Sequence, residues 1–111
     1  MSVLLVMTNL PDRATAETLA ARVVEERLAA CVNILAPCVS VYQWEGAVER
    51  ADEVPLLIKT TEERYPLLES VIRAAHPYAT PEIVAIPIAA GLPEYLAWVA
   101  AETQTERWPS P

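Results

Sequence analysis

The chain has 111 residues, a hydrophobic fraction of 53% and a net charge of −7, which suits a single folded domain and excludes a disordered chain. Its sole lysine, Lys59, belongs to no basic stripe, so the composition argues against nucleic-acid binding. The longest uncharged apolar stretch, residues 83–93, is too short to span a bilayer, so we expect no membrane partner.

The first half of the chain predicts a strand, a helix and a long bent strand. Residues 3–8 form a continuous apolar run, which is typical of a strand covered on both faces. Residues 13–29 carry apolar side chains at helical spacing and follow Asp12, a suitable N-cap. The next strand covers residues 31–44, and Pro37 predicts a bend or bulge within it.

The returning strand and the second helix each contain a proline. The strand is predicted over residues 48–60, where Pro55 cannot donate a ladder hydrogen bond and so indicates an edge or bulge position. The helix is predicted to begin at Thr61 or Glu62, with Pro66 in its first turn, where a missing N–H costs little.

A pair of prolines ends this helix. The residue before a proline is pushed out of the helical region, and His76 and Thr80 are both such residues. We therefore expect the helix to stop near Ala75 and an extended segment to follow.

The C-terminal part completes a known order of elements. Residues 83–88 predict a short strand, Pro93 opens a last helix, and residues 103–111 read as a frayed tail. The order β-α-β-β-α-β plus a final helix predicts one α+β domain over residues 1–111, with the ferredoxin-like split βαβ fold.

The central hairpin is too long for its own domain. A strand over residues 31–44 extends on the order of 45 Å, whereas a helix over residues 13–29 is only about 25 Å long. The overhanging tip carries Val41, Tyr42 and Trp44, and an unpaired edge of this kind invites aggregation unless another chain covers it. We therefore predict a closed homo-oligomer in which hairpins of neighbouring subunits pair.

Five segments in fixed order form a specific pattern: residues 28–34, 40–46, 58–61, 76–83 and 95–98. Two of them read Ser-x-Tyr-x-Trp-x-Gly and His-Pro-Tyr-x-x-Pro-Glu-Ile. In this pattern the chain resembles the CutA family of divalent-cation tolerance proteins over nearly its whole length. The resemblance implies a ferredoxin-like subunit, a tight homotrimer with β pairing between subunits, and a link to tolerance of copper and other divalent metals.

Metal ligation has two candidate residues, His76 and Cys38, because imidazole and thiolate suit copper and zinc. A histidine at a helix end also commonly bonds the last helical carbonyls, and a free cysteine is commonly a small hydrophobe. Some copper-binding relatives carry Cys and His where this chain has Met7 and Ala75, so only His76 remains of that arrangement. Six acidic residues lack calcium-loop spacing and are interpreted mostly as a solvated face: Asp12, Glu45, Glu49, Asp52, Glu62 and Glu63.

Lys59 lies in an otherwise apolar strand and must reach water or a carboxylate. One interpretation is an ion pair with Glu53 or Glu82 that supports a subunit interface. The other is a ligand-binding cation in a cleft between subunits, since aromatic side chains around one charge are typical of small-molecule sites. The predicted cleft residues are Lys59, Glu53, Tyr42, Trp44, Tyr78, Glu82 and Trp98.

The resemblance implies a homotrimer that acts in divalent-metal tolerance, which we interpret as non-catalytic, with no required cofactor, and as binding copper or another metal or a metal-linked partner. The alternative is a trimeric signalling module of the PII plan that binds a small metabolite between subunits, although two glycines and one lysine offer little for phosphate. Common catalytic motifs are absent, so we expect no enzyme. Two cysteines in no disulfide or C-x-x-C pattern, and no visible secretion signal, predict a reduced cytoplasmic protein.

Overall fold

The computed structural model describes residues 2–104, which form a five-stranded antiparallel sheet and three helices. The predicted ferredoxin-like order is confirmed, except that the bent second strand is divided into two strands. In chain order the elements are β1 (Val3–Leu10), α1 (Arg13–Glu25), β2 (Cys31–Ile34), β3 (Cys38–Trp44), β4 (Ala47–Thr61), α2 (Tyr65–Ala75), β5 (Ile83–Pro87) and α3 (Pro93–Glu102).

The long strand β4 organises the sheet. Along one side it pairs with β1, and along the other it pairs first with β3 and then with β2. Strand β1 is also paired with β5, so Val6 lies between Ile58 of β4 and Ala85 of β5. The strand order is therefore β2-β4-β1-β5, with β3 extending the hairpin beyond β2.

Pro55 lies inside β4, so the predicted edge position is wrong, whereas the predicted irregularity is present. On one side Pro55 pairs with Asn9 of β1, and on the other it faces the break between β2 and β3. The N–H of Leu35 donates to the Pro55 carbonyl oxygen at 3.0 Å. Because a strand residue directs its N and its C=O to the same side, the missing N–H of Pro55 falls at this break.

Helix α1 begins as predicted and ends four residues earlier than predicted. The Asp12 carboxylate accepts a hydrogen bond from the Thr15 N–H at 2.8 Å, and this bond lowers the pKa of the Asp12 carboxyl from its usual 3.8. The helix stops at Glu25 because Arg27 takes the left-handed conformation, with φ of 59°. Leu28 then donates its N–H to the Val23 carbonyl, and this bond closes the C-terminus.

Helix α2 begins later than predicted and ends where predicted. Strand β4 continues to Thr61, which is buried and paired with Val3, so the helix starts only at Tyr65 after a turn. Its C-terminus at Ala75 agrees with the prediction, because His76 is extended, with ψ of 134°.

Helices α1 and α2 cover one face of the sheet and bury the main core there. In β1, and in β4 from Val54 onward, the even-numbered residues face these helices, so side chains alternate between the core and the opposite face. The core includes Leu4, Val6, Leu10, Leu19, Val23, Leu28, Val54, Leu56, Ile58, Leu68 and Ile72.

Helix α3 packs at one end of the opposite face. Val99 is fully buried there in a second cluster with Val3 and Ala30. Thr103 is also buried and donates its hydroxyl to the Val99 carbonyl oxygen at 2.8 Å, so the predicted loose tail does not begin at Thr103. The rest of the predicted tail, residues 105–111, lies outside the described part of the chain.

The molecule is elongated, with principal extents of 56 × 27 × 23 Å. The β3–β4 hairpin accounts for its length, and Val39, Val41 and Val48 on the hairpin are more than half exposed. The predicted overhang of the hairpin is therefore confirmed, and the assembly that would cover it stays a prediction. In the span from 2 to 104, every helix is too short or too polar to cross a membrane.

Candidate functional site

A cleft of about 610 Å³ opens at the base of the hairpin, and we call it the hairpin cleft. It lies between the β3–β4 hairpin, the end of β1 and the segment that leads into β5. Cross-strand pairing of Tyr42 with Glu49 places both side chains on one face of the hairpin. The lining residues are Asn9, Ser40, Val41, Tyr42, Trp44, Glu49, Glu53, Tyr78, Ala79, Thr80 and Glu82.

The hairpin cleft is acidic. Three carboxylates line it, those of Glu49, Glu53 and Glu82, and no lysine or arginine from the described range 2–104 lines it. The side-chain amide of Asn9 donates to Glu53 Oε1 at 3.4 Å and to Glu82 Oε1 at 3.3 Å. Asn9 thus holds two like charges near each other, and Glu53 is only 8% exposed. Such an arrangement attracts a cation.

Aromatic rings form the apolar part of the cleft wall. Tyr42, Trp44 and Tyr78 are each about two-fifths exposed, so their rings are available to a ligand or to another chain. Burial raises the pKa of the Tyr78 phenol above its usual 10.0, and the nearby Glu53 carboxylate raises it further. Tyr78 is therefore a neutral hydroxyl at neutral pH, able to donate a hydrogen bond toward a carboxylate.

His76 lies directly behind the cleft and has both ring nitrogens engaged. Its Nδ1 accepts the Tyr78 backbone N–H at 3.2 Å, and its Nε2 lies 2.6 Å from the Asn9 carbonyl oxygen. Since Nδ1 is the acceptor, Nε2 carries the proton and donates to Asn9. The residue is 7% exposed, and its ring packs against Tyr78 with centroids 4.7 Å apart. A metal on His76 would have to displace one of these hydrogen bonds.

Cys38 begins β3 and is a half-buried free thiol. It pairs across the hairpin with Glu53, and its Sγ lies 3.9 Å from Ser40 Oγ. Between residues 2 and 104, no three histidine, cysteine, aspartate or glutamate side chains converge so as to hold a metal ion. The metal roles of His76 and Cys38 stay predictions.

Two predicted cleft residues, Lys59 and Trp98, lie elsewhere. Lys59 is six residues along β4 from Glu53, a separation of about 20 Å in a strand, and its ammonium donates to Asn33 Oδ1. Within one chain, therefore, Lys59 does not form the predicted ion pair with Glu53. Trp98 lies on α3, whereas five of the predicted residues share the hairpin cleft of one chain: Tyr42, Trp44, Tyr78, Glu53 and Glu82.

Lys59 and Trp98 lie toward the same end of the sheet. Trp98 packs on Tyr95, with ring centroids 5.6 Å apart. Burial raises the pKa of Tyr95, and the nearby Cys31 thiol raises it further. Cys31 is the cross-strand partner of Lys59, so Tyr95 and Trp98 lie near the Lys59 end of β4. Within one chain the predicted residues therefore form an acidic, aromatic group and a basic, aromatic group at opposite ends, and the predicted cleft between subunits stays a prediction.

Sequence reasoning missed Asn9 and Glu49. Asn9 looked like part of a turn, yet it is the last polar position of β1 and bridges the carboxylates of Glu53 and Glu82. Glu49 was grouped with solvated acids, although the hairpin register places it opposite Tyr42. The turn at Glu45 and Gly46 fixes that register, so recognising this turn in the sequence would have placed Glu49 opposite Tyr42.

The family model described as CutA1 divalent ion tolerance protein matches residues 4–102. The chain belongs to the CutA1 family. A divalent-cation tolerance protein CutA from Thermus thermophilus is 48% identical over 98 residues, which cover 88% of this chain and 95% of that protein.

Solved CutA structures share the fold. A Cut A1 structure from Thermus thermophilus superposes with a TM-score of 0.90 at 46% identity, covering 92% of this chain and 99% of that one. A CutA from Archaeoglobus fulgidus, described as a periplasmic divalent cation tolerance protein, gives a TM-score of 0.89 at 38% identity, covering 92% and 99%. At these identities the CutA1 fold applies to almost the whole chain.

Proposed function

We propose that this CutA1-family chain acts in tolerance of divalent cations, as a homotrimer and without catalysing a reaction. The observation that carries the proposal is the hairpin cleft, which three carboxylates line and which no lysine or arginine of residues 2–104 lines. The family match over residues 4–102 supports the role in divalent-cation tolerance.

The trimeric part of the proposal is supported by exposed apolar surface. The outer face of the hairpin exposes Val39, Val41 and Val48, and the sheet face away from α1 and α2 exposes Val84 and Ile86. Contiguous apolar surface of this kind marks interaction sites, and an extended hairpin offers strand edges for pairing. A trimer covers both kinds of surface in a closed assembly.

In this proposal the ligands for a directly bound metal come from more than one subunit. A single described chain gathers too few ligands of the right type, whereas an interface at the cleft adds donors from a neighbour. Carboxylate oxygens suit hard cations, and copper requires a softer donor such as Cys38 or a released His76. No resident cofactor is required for the proposed role.

Calorimetric titration of the purified protein with Cu²⁺, Zn²⁺, Co²⁺ and Mn²⁺ tests direct binding. We expect saturable binding that E49Q weakens, because Glu49 lines the hairpin cleft and is not one of the two carboxylates held by Asn9. The matched control E17Q removes an exposed carboxylate elsewhere and should leave binding unchanged. Absence of saturable binding below about millimolar metal would contradict direct binding and leave only an indirect role in tolerance.

The alternative function, a PII-like signalling module, is not favoured. The matching family is CutA1, and a cleft that the described part of the chain lines with three carboxylates and no lysine or arginine repels a phosphorylated ligand. A thermal-shift screen with nucleotides should therefore show no stabilisation, and a nucleotide-dependent rise in Tm would reverse this choice.

The proposal places the protein in the reducing cytoplasm. Cys31 and Cys38 are both free thiols of intermediate exposure, which suits a compartment that keeps thiols reduced. Cell fractionation with thiol alkylation before lysis checks this point, and a periplasmic protein with oxidised cysteines would contradict it.

A further inference from the structure

The sheet face opposite α1 and α2, which we call the open face, has a strip of apolar side chains in its middle. Its residues are partly or largely exposed because α3 covers only the end near Val3. This strip runs across three neighbouring strands, β4, β1 and β5. Its members are Leu5, Met7, Leu57, Val84 and Ile86.

The two ends of the open face carry opposite charge. At one end Glu53 and Glu82 meet around Asn9 in the hairpin cleft. Toward the other end Lys59, the sole lysine of the chain, lies on β4 about 20 Å from Glu53. The apolar strip lies between these ends, so the open face has a negative end, an apolar middle and a positive end.

Neither charged end is neutralised within the described chain. The ion pairs found among residues 2–104 join Arg22 to Glu26 and Arg27 to Glu102, and neither involves the open face. Lys59 instead donates to the neutral amide of Asn33. Glu53 is more than nine-tenths buried beside a second carboxylate, and a buried charge of this kind is costly unless an opposite charge reaches it.

We propose that the open faces of neighbouring subunits dock head to tail, so that Lys59 of one copy enters the hairpin cleft of the next and neutralises Glu53 and Glu82. This inference rests on the proposed homo-oligomer and adds the residues that join its subunits. The hairpin cleft is incomplete in one chain, and the neighbour supplies its cation. Because the contact joins two different patches, it is heterologous, and a three-fold rotation between copies closes it into the proposed trimer.

A second copy of the chain fits the hairpin cleft better than a free organic cation does. Tyr42, Trp44 and Tyr78 would suit an alkylammonium ligand, since aromatic faces attract cations. However, such a ligand would leave the adjoining apolar strip in water, whereas a docked subunit covers the strip and also brings Lys59 to the cleft. The matched charges at the two ends also set the register of the contact.

Charge reversal tests the contact, read as molar mass by light scattering and as Tm. K59E brings a third carboxylate against Glu53 and Glu82 at every interface. E53K brings a second ammonium against Lys59. Each variant should therefore lower the mass from about three chains to one. The double variant E53K/K59E restores opposite charges at every interface and should recover the mass. Recovery is the result that a merely local effect of either residue would not produce. E63K, at an exposed position on the turn before α2, is the control and should assemble normally.

Two results would overturn the inference. If K59E assembles like the wild type, Lys59 has no role in the contact. Saturable binding of tetramethylammonium to K59E would then assign the cleft to a free cation instead. In that case the proposed trimer and its metal titration stand unaffected. If the wild type itself is a stable 12.2 kDa particle at micromolar concentration, both the contact and the proposed homotrimer are wrong.

Discussion

His76 is held by two backbone hydrogen bonds, and these predict the effect of replacing it. In H76A the Asn9 carbonyl and the Tyr78 N–H lose their partners in a nearly buried place, so we expect the free energy of unfolding to fall by about 2–3 kcal/mol. Urea unfolding measures this loss.

H76Q is the matched variant for His76, because a glutamine amide can still donate to the Asn9 carbonyl. We expect H76Q to lose less stability than H76A and to keep any metal affinity of the wild type. If His76 is instead a metal ligand, H76Q should lose metal affinity while its stability stays near normal.

Thr8 and Thr60 are both fully buried on the helix-facing side of the sheet and differ in their hydrogen bonding. Thr60 Oγ1 donates to the Leu28 carbonyl oxygen at 2.7 Å, whereas Thr8 Oγ1 has no protein partner among the described residues. We therefore expect T60V to cost about 1–2 kcal/mol and T8V to be neutral or stabilising. Thermal unfolding of the two variants side by side checks this, and an equal loss in both would contradict it.

The candidate site was only partly predictable at the scale of single residues. The spacing of Tyr42 and Trp44 on one strand face follows from sequence alone, because alternate strand residues share a face. The separation of Lys59 from Glu53 within one chain also follows from one strand at about 3.3 Å per residue. The place of Trp98 does not follow from local sequence, since it depends on where α3 packs.

At the scale of elements, the N-cap of α1 predicts a pH dependence. The hydrogen bond from the Thr15 N–H lowers the folded-state pKa of Asp12 below 3.8. The ionised cap therefore stabilises the folded state fully above about pH 4, and this contribution is lost as pH falls through the folded pKa. We expect D12A to lower Tm near pH 7 and to have little effect once the pH is below that pKa.

D12N is the control for this cap, because asparagine also caps helices and does not titrate. Its Tm should lie closer to the wild type than that of D12A near pH 7, and the gap between D12N and D12A should not change with pH. If D12A and the wild type differ equally at both pH values, the carboxylate charge contributes nothing through the cap.

Element boundaries were predictable where a proline sets them and not where strand pairing sets them. Pro77 fixed the end of α2, and Pro93 fixed the start of α3, since proline acts on its own neighbours. The start of α2 was misplaced because Thr61 pairs with Val3, a contact between distant parts of the chain. For Pro55 the sequence left an edge or a bulge open, because the break in the strands opposite it, which accommodates its missing N–H, lies in a distant part of the chain.

At the scale of the whole molecule, the overhang of the hairpin was predictable because it depends only on lengths. A strand gains about 3.3 Å per residue and a helix about 1.5 Å, so a hairpin this long exceeds the helices beside it. The longest extent of 56 Å, against 27 and 23 Å, agrees with that comparison. The open face was not predicted, because it depends on both main helices packing on one side of the sheet.

The proposed assembly predicts that a lysine introduced on the open face dissociates the oligomer, whereas a lysine introduced at a similarly exposed position on α2 does not. Ile86 on the open face is 48% exposed and Leu67 on α2 is 51% exposed, so I86K and L67K make the same chemical change at equal exposure. A lysine in the apolar strip would be buried without a partner at a subunit interface, whereas one on α2 stays in water. We expect I86K to dissociate the oligomer by light scattering and L67K to leave its mass unchanged. Equal masses for both variants would mean that the open face is not where subunits meet, and loss of assembly in L67K alone would place the interface on the helical side.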